Sequence, residues 1–86
     1  MSGSHPTSFQ GDILAALRDA VLAQLPEAQV TATGGGGHFE LVVVSPRFAG
    51  LGTLAKQRQV YAAIAHLMKG DAAPVHAIDR MECRAP

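Results

Sequence analysis

The chain has little of what secreted proteins and most catalytic centres depend on. Its 86 residues include one cysteine, no tryptophan, one tyrosine and three phenylalanines. A lone cysteine, Cys83, cannot form an internal disulfide, so a reducing, cytoplasmic setting is the expectation. The N-terminal stretch lacks a charged segment followed by an apolar one, and no secretory signal is expected. No apolar run approaches the roughly 20 residues of a membrane-spanning helix. Charge is also scarce. Seven basic and seven acidic residues cancel, which argues against binding driven by a strong positive field. With so few aromatic rings, base stacking would be poorly supplied. No Ser-His-Asp or Cys-His arrangement with a supporting motif is visible, and no paired carboxylates suggest acid–base work. The chain is therefore read as a non-enzyme.

What remains is apolar and compact. Hydrophobic residues make up 48% of the sequence, which suits a globular domain rather than a disordered one. The length predicts one domain with a modest core. Residues 1–8 read as a loose tail, in which His5 carries no argument, and residues 9–86 as the domain. The small charge content is uneven. Residues 1–40 hold Arg18 against Asp12, Asp19, Glu27 and Glu40, whereas residues 41–86 hold six basic and three acidic side chains.

Hydrophobic spacing sets the element order. Thr7 with Gln10 forms a capping-box pattern, with Ser8 as an alternative N-cap, and the first helix runs to about Gln24. Leu14, Leu17, Val21 and Leu25 recur at three- and four-residue steps and form its apolar stripe. Gly11 weakens its first turn and Pro26 ends it. Ala28 to Thr33 alternates and reads as a strand, Gly34 to Gly37 as a flexible loop, and Phe39 to Val44 as a β-branched second strand. Two strands flanking a glycine turn predict an antiparallel hairpin.

The segment from Ser45 to Ile64 carries most of the fold information. The strand stops at Pro46, which cannot extend a central strand. A Phe-x-Gly turn follows at Phe48 to Gly50, and a helix begins near Thr53 and runs to about Met68. Leu54, Gln57, Tyr61, Ile64 and Met68, widened by Val60 and Leu67, are read as its core line. Gly70 stops this helix, with Lys69 suited to the dipole at its end. Val75 to Cys83 is a third strand whose apolar pattern is irregular and leaves its facing open. The order α-β-β-α-β predicts a two-layer α/β (α+β) fold, with a three-stranded mixed sheet and both helices on one face. A helix linking two strands favours a right-handed crossover to a parallel neighbour.

Four blocks then occur in order: His38-Phe39-Glu40-Leu41-Val42-Val43-Val44-Ser45-Pro46, Phe48-x-Gly50, Lys56-Gln57-Arg58-Gln59-Val60-Tyr61, and Val75-His76-Ala77-Ile78. Together they resemble the BolA family over roughly residues 10–80. Two departures stand out. Many members carry Arg-His-Arg where this chain has Lys56-Gln57-Arg58, which places it nearer the branch in which that tripeptide is degenerate. The family's usual Thr-Pro ending is here Ala85-Pro86, one residue out of step. The resemblance implies a KH-like fold of class II and a partnership with a monothiol glutaredoxin, with which such proteins share a bridging [2Fe-2S] cluster. It implies His76 as a cluster ligand and His38 as a second, less firmly carried one. The partner surface would include His76, the glycine loop and the start of the second helix. Without the cluster, a monomer or weak homodimer is expected.

The chemistry agrees with a shared cluster. Such a cluster needs four ligands, usually thiolates, with histidine in some sites. One cysteine cannot supply them, so a glutaredoxin thiolate and a glutathione thiol would complete the set. The competing function is a nucleic-acid-binding transcriptional regulator of the stress or morphology type. It draws on the KH-like architecture and on Arg47, Lys56 and Arg58, which lie close in sequence. KH domains clamp nucleic acid with a Gly-x-x-Gly loop, and Gly50-Leu51-Gly52 has the wrong spacing. The Gly34 to Gly37 tract lacks the Lys-Ser/Thr of a phosphate loop and joins two strands rather than opening a helix. His66 reads as a surface residue in mid-helix, and Cys83 as a small strand residue rather than a nucleophile.

Overall fold

The computed structural model describes residues 5–86, with side chains from Ile13 onward. Residues 1–4 of the expected tail lie outside the described residues. The elements are α1 (His5–Gln24), β1 (Gln29–Gly35), β2 (His38–Val44), a one-turn 3-10 helix (Pro46–Phe48), α2 (Thr53–Ile64) continued by a 3-10 turn (Ala65–Leu67), and β3 (Ala77–Arg84). The helix opens at His5, so the expected cap at Thr7 falls inside it; the side chains of Thr7, Ser8, Gln10 and Gly11 lie outside those described.

The sheet order is β1-β2-β3. The hairpin pairs antiparallel and β2 pairs parallel with β3, as the crossover predicted. Alternation on β2 is clean. Phe39, Leu41 and Val43 are buried, while His38 and Glu40 between and beside them are exposed. The buried set meets Ile13, Leu17, Val21 and Leu25 from the first helical segment, and Val60, Ala63 and Ile64 from α2. Both helices therefore cover one face. On α1, Ile13 takes the place expected for Leu14, which is only partly buried.

The core line of α2 needs a correction. Leu54 is 61% exposed and Tyr61 39% exposed, against the expectation from spacing that both belong to the core. The buried stripe is Val60, Ala63 and Ile64, with Leu67 packed against it. At about 100° per residue, Leu54, Arg58 and Tyr61 share a line on the opposite side. Apolar residues occupy both faces of this helix, so spacing alone fits two stripes equally well.

Ser45 and Phe48 anchor the turn out of β2. Ser45 is fully buried, and its hydroxyl oxygen accepts a hydrogen bond from the Arg47 backbone N–H at 3.1 Å. Pro46 follows in the first helical position, where no N–H is needed. Ala49 (φ −58°, ψ 129°) and Gly50 (φ 79°) then form a type II turn, closed by Leu51 N–H donating to the Phe48 carbonyl at 3.1 Å. This accounts for the Phe-x-Gly motif: the ring fills the core while the glycine supplies the positive φ.

Candidate functional site

The backbones of His38 and His76 adjoin at one corner of the sheet. His38 is the first residue of β2, paired with Gly35 on one side and Ala77 on the other. The carbonyl of the preceding residue, Gly37, accepts hydrogen bonds from His76 N–H at 2.7 Å and Ala77 N–H at 3.0 Å. The His76 ring lies over Gly37 so closely that a Cβ there would sit 3.0 Å from its Cγ. Both histidines are exposed.

The glycine tract is not the four-residue flexible loop expected from sequence. Gly34 and Gly35 belong to β1, and only Gly36 and Gly37 turn the chain. Their φ values of 64° and 87° fit the type I′ hairpin, whose twist matches that of its strands. His38 is thus held in the central strand by two neighbours. His76 lies just before β3, because the strand starts at Ala77 rather than Val75. Val75 leaves the ladder to donate its N–H to the Leu67 carbonyl, and its side chain is buried.

Asp79 is the site residue that sequence reasoning missed. Its Oδ1 lies 3.1 Å from His38 Nδ1, an exposed contact across 41 residues of sequence. A register shift brings it there. Phe39 pairs with Ile78 and Glu40 with Arg80, leaving Asp79 as an extra residue in β3. The signal was available as a change of parity. Ile78 must face inward, as must Met81 and Cys83, and an odd step between apolar positions requires a bulge. Without it, Arg80 and Glu82 would point into the core. With it they line the outer face, where Arg80 and Arg84 both donate to the Glu82 carboxylate.

The three basic candidates lie on two elements, Arg47 on the 3-10 turn and Lys56 and Arg58 on α2. Arg47 lies on the 3-10 turn and borders a small cavity with Pro26 and Glu27. Lys56 is half-buried, and its charge acts on Cys83 in β3. Arg58 is exposed, and the two-residue spacing sends it about 200° around the helix from Lys56. His66 is exposed, as expected. Cys83 is half-buried against the core, and burial pushes its thiol pKa up, opposed by Lys56 and reinforced by Glu82. At pH 8, iodoacetamide should therefore alkylate native Cys83 several-fold more slowly than a free cysteine, and denaturant should remove the difference. Equal rates would show that the fold does not suppress the thiolate.

Among the described residues, no group of three or more His, Cys, Asp or Glu side chains is placed to hold a metal ion. None of the described helices is long and apolar enough to cross a membrane. The site offers two exposed imidazoles carried on adjoining backbone, one of them backed by a carboxylate.

Comparison with known proteins agrees with this architecture. The chain is similar to a BolA homologue from Coxiella burnetii, at 33% identity over 84% of this chain and 88% of the other, with a TM-score of 0.70. A Bol-like protein from Babesia bovis shows 31% identity over 85% and 84% of the two chains, with a TM-score of 0.66. BolA1 from Arabidopsis thaliana shares the fold at 19% identity, covering 85% and 90%, with a TM-score of 0.70. A search of curated proteins finds no match. The family model for BolA-like proteins matches residues 13–86, from the first core residue of α1 to the end of the chain, and the chain belongs to the BolA family.

Proposed function

We propose that the chain is a non-enzymatic adaptor that pairs with a monothiol glutaredoxin and shares a bridging [2Fe-2S] cluster with it. It would act in iron–sulfur cluster trafficking or iron homeostasis, in the cytoplasm. One observation carries the reading: two exposed imidazoles branch from adjoining backbone at one corner of the sheet. The donor set fits half of a shared cluster and no more. His76 and His38 would be this chain's ligands, and the partner would bring its active-site thiolate and a glutathione thiol. When bound, such a cluster supplies a redox-active iron pair whose potential histidine ligation raises relative to thiolates alone.

The chain's own residues supply position. Gly37 accepts the backbone N–H of His76 and gives its ring room, while β1 and β3 hold the backbone of His38. Nucleic-acid binding has less support. The net charge is zero, Lys56 and Arg58 point about 200° apart around α2, and acid alternates with base on the outer sheet face.

The test is reconstitution with a monothiol glutaredoxin, glutathione, iron and sulfide, followed by visible absorption and circular dichroism. The mixed complex should give a spectrum distinct from that of the glutaredoxin homodimer, and His76→Ala should abolish the difference. A homodimer spectrum with the native chain, or a mixed spectrum unchanged by His76→Ala, would sink the proposal.

A further inference from the structure

We infer that Asp79 is a positioning residue: it fixes the tautomer of His38 so that Nε2, and not Nδ1, is the free metal-accepting atom. The inference rests on the cluster-sharing reading only for what the free atom is used for. The tautomer itself is a property of the chain alone.

The chemistry leaves one choice. An ionised carboxylate accepts hydrogen bonds and cannot donate them. Its Oδ1 lies 3.1 Å from His38 Nδ1. Nδ1 must therefore carry the proton, and the lone pair of a neutral ring stays on Nε2. Neutral histidine chooses between two tautomers, and a hydrogen bond at one nitrogen settles which atom is free at the other. A carboxylate behind a ligating histidine also orients the ring and raises its basicity, and losing such a partner typically costs roughly 10–100-fold in metal affinity.

The backbone is arranged to keep this pair together. Asp79 is the extra residue of the bulge, between Ile78 opposite Phe39 and Arg80 opposite Glu40. Bulges re-aim side chains. In a regular ladder residue 79 would stand opposite Glu40, one like charge facing another. Here the irregularity directs its carboxylate to His38 instead. The side chains are 58% and 53% exposed, so the contact organises a surface site rather than stabilising a core. An exposed contact of this kind contributes little to stability, and the Asp79 substitutions below should leave the fold intact.

The experiment reads the tautomer directly. Long-range proton–nitrogen NMR correlations of the imidazoles would be recorded on the isolated chain at mildly alkaline pH. The native protein should show His38 protonated on Nδ1. Asp79→Ala should shift His38 toward the Nε2-protonated form with the backbone spectrum otherwise retained, and Asp79→Asn, whose amide oxygen can still accept, should shift it less. An Nε2-protonated His38 in the native chain, or one tautomer population in all three proteins, would overturn the inference. In the glutaredoxin reconstitution, Asp79→Ala should raise the protein concentration needed for the mixed spectrum by roughly tenfold, and His38→Ala at least as much. If the NMR shift occurs but neither variant changes reconstitution, the positioning stands and the ligand role of His38 falls.

Discussion

Phe48→Ala is expected to remove about 3–5 kcal/mol of folding stability. The ring is fully buried and belongs to the same cluster as Leu17, Leu41 and Ile64. It arrives there from a 3-10 turn rather than from a regular element, so its removal opens a cavity and loosens the segment it anchors. The buried Ser45 cap and the type II turn fix the backbone on either side, and neighbouring chain cannot readily collapse into the space. At roughly 0.05–0.15 kcal/mol per residue, a domain of this size has about 4–13 kcal/mol in total. The loss is a large share of that. Urea unfolding followed by far-UV circular dichroism should show the midpoint falling by about 1 M or more, since small domains have slopes of about 1–3 kcal/mol per M. Leu54→Ala is the matched control. Its side chain is 61% exposed, and the change should stay within about 0.5 kcal/mol. A Phe48→Ala loss no larger than that of Leu54→Ala would show that the turn does not anchor the core.

The contrast between these two positions also shows how far sequence could lead. Clean alternation on β2, the proline after Ser45 and the glycine after Phe48 each have one physical solution, and the element order follows from them. Helix α2 has two solutions, because Leu54 and Tyr61 mimic a stripe that Val60, Ala63 and Ile64 actually form. Only packing against α1 and β3 chooses between them. The site divides in the same way. His38 and His76 are candidates through the family resemblance alone, and the structure brings their backbones together. The contact of Asp79 with His38 was not, because it spans 41 residues and depends on a bulge. Its trace was the odd spacing from Ile78 to Met81, which looks like irregular alternation until the partner strand is known. The four glycines misled for a different reason. Composition points to mobility, whereas two of them extend a paired strand and the turn itself is as short as a hairpin allows.

That short hairpin makes Gly34 the most sensitive backbone position near the site. Its φ is 120°, a region that L-residues rarely enter, and an added Cβ would lie 2.4 Å from the His38 carbonyl oxygen and 2.8 Å from the Phe39 Cα. Those atoms are backbone, so no side chain can swing away to make room. Gly34→Ala must therefore break the pairing of Gly34 with Phe39 or force both residues off their positions. Backbone strain of this kind costs about 1–3 kcal/mol, before any loss from the disturbed ladder and the displaced Phe39 ring. With about 4–8 °C per kcal/mol for a domain of this size, the melting temperature should fall by roughly 10 °C or more. The neighbours separate stability from site geometry. At Gly36 an added Cβ meets nothing within 4 Å at φ 64°, and Gly36→Asn should shift melting only slightly because asparagine tolerates that conformation. At Gly37 the Cβ meets the His76 ring at 3.0 Å, so Gly37→Ala should push the imidazole aside and weaken the mixed glutaredoxin spectrum more than its effect on melting would predict. Gly34→Ala, in contrast, should lower melting first and lose the spectrum as a consequence. Equal melting temperatures for Gly34→Ala and Gly36→Asn would mean that the strand pairing before the turn does not constrain His38.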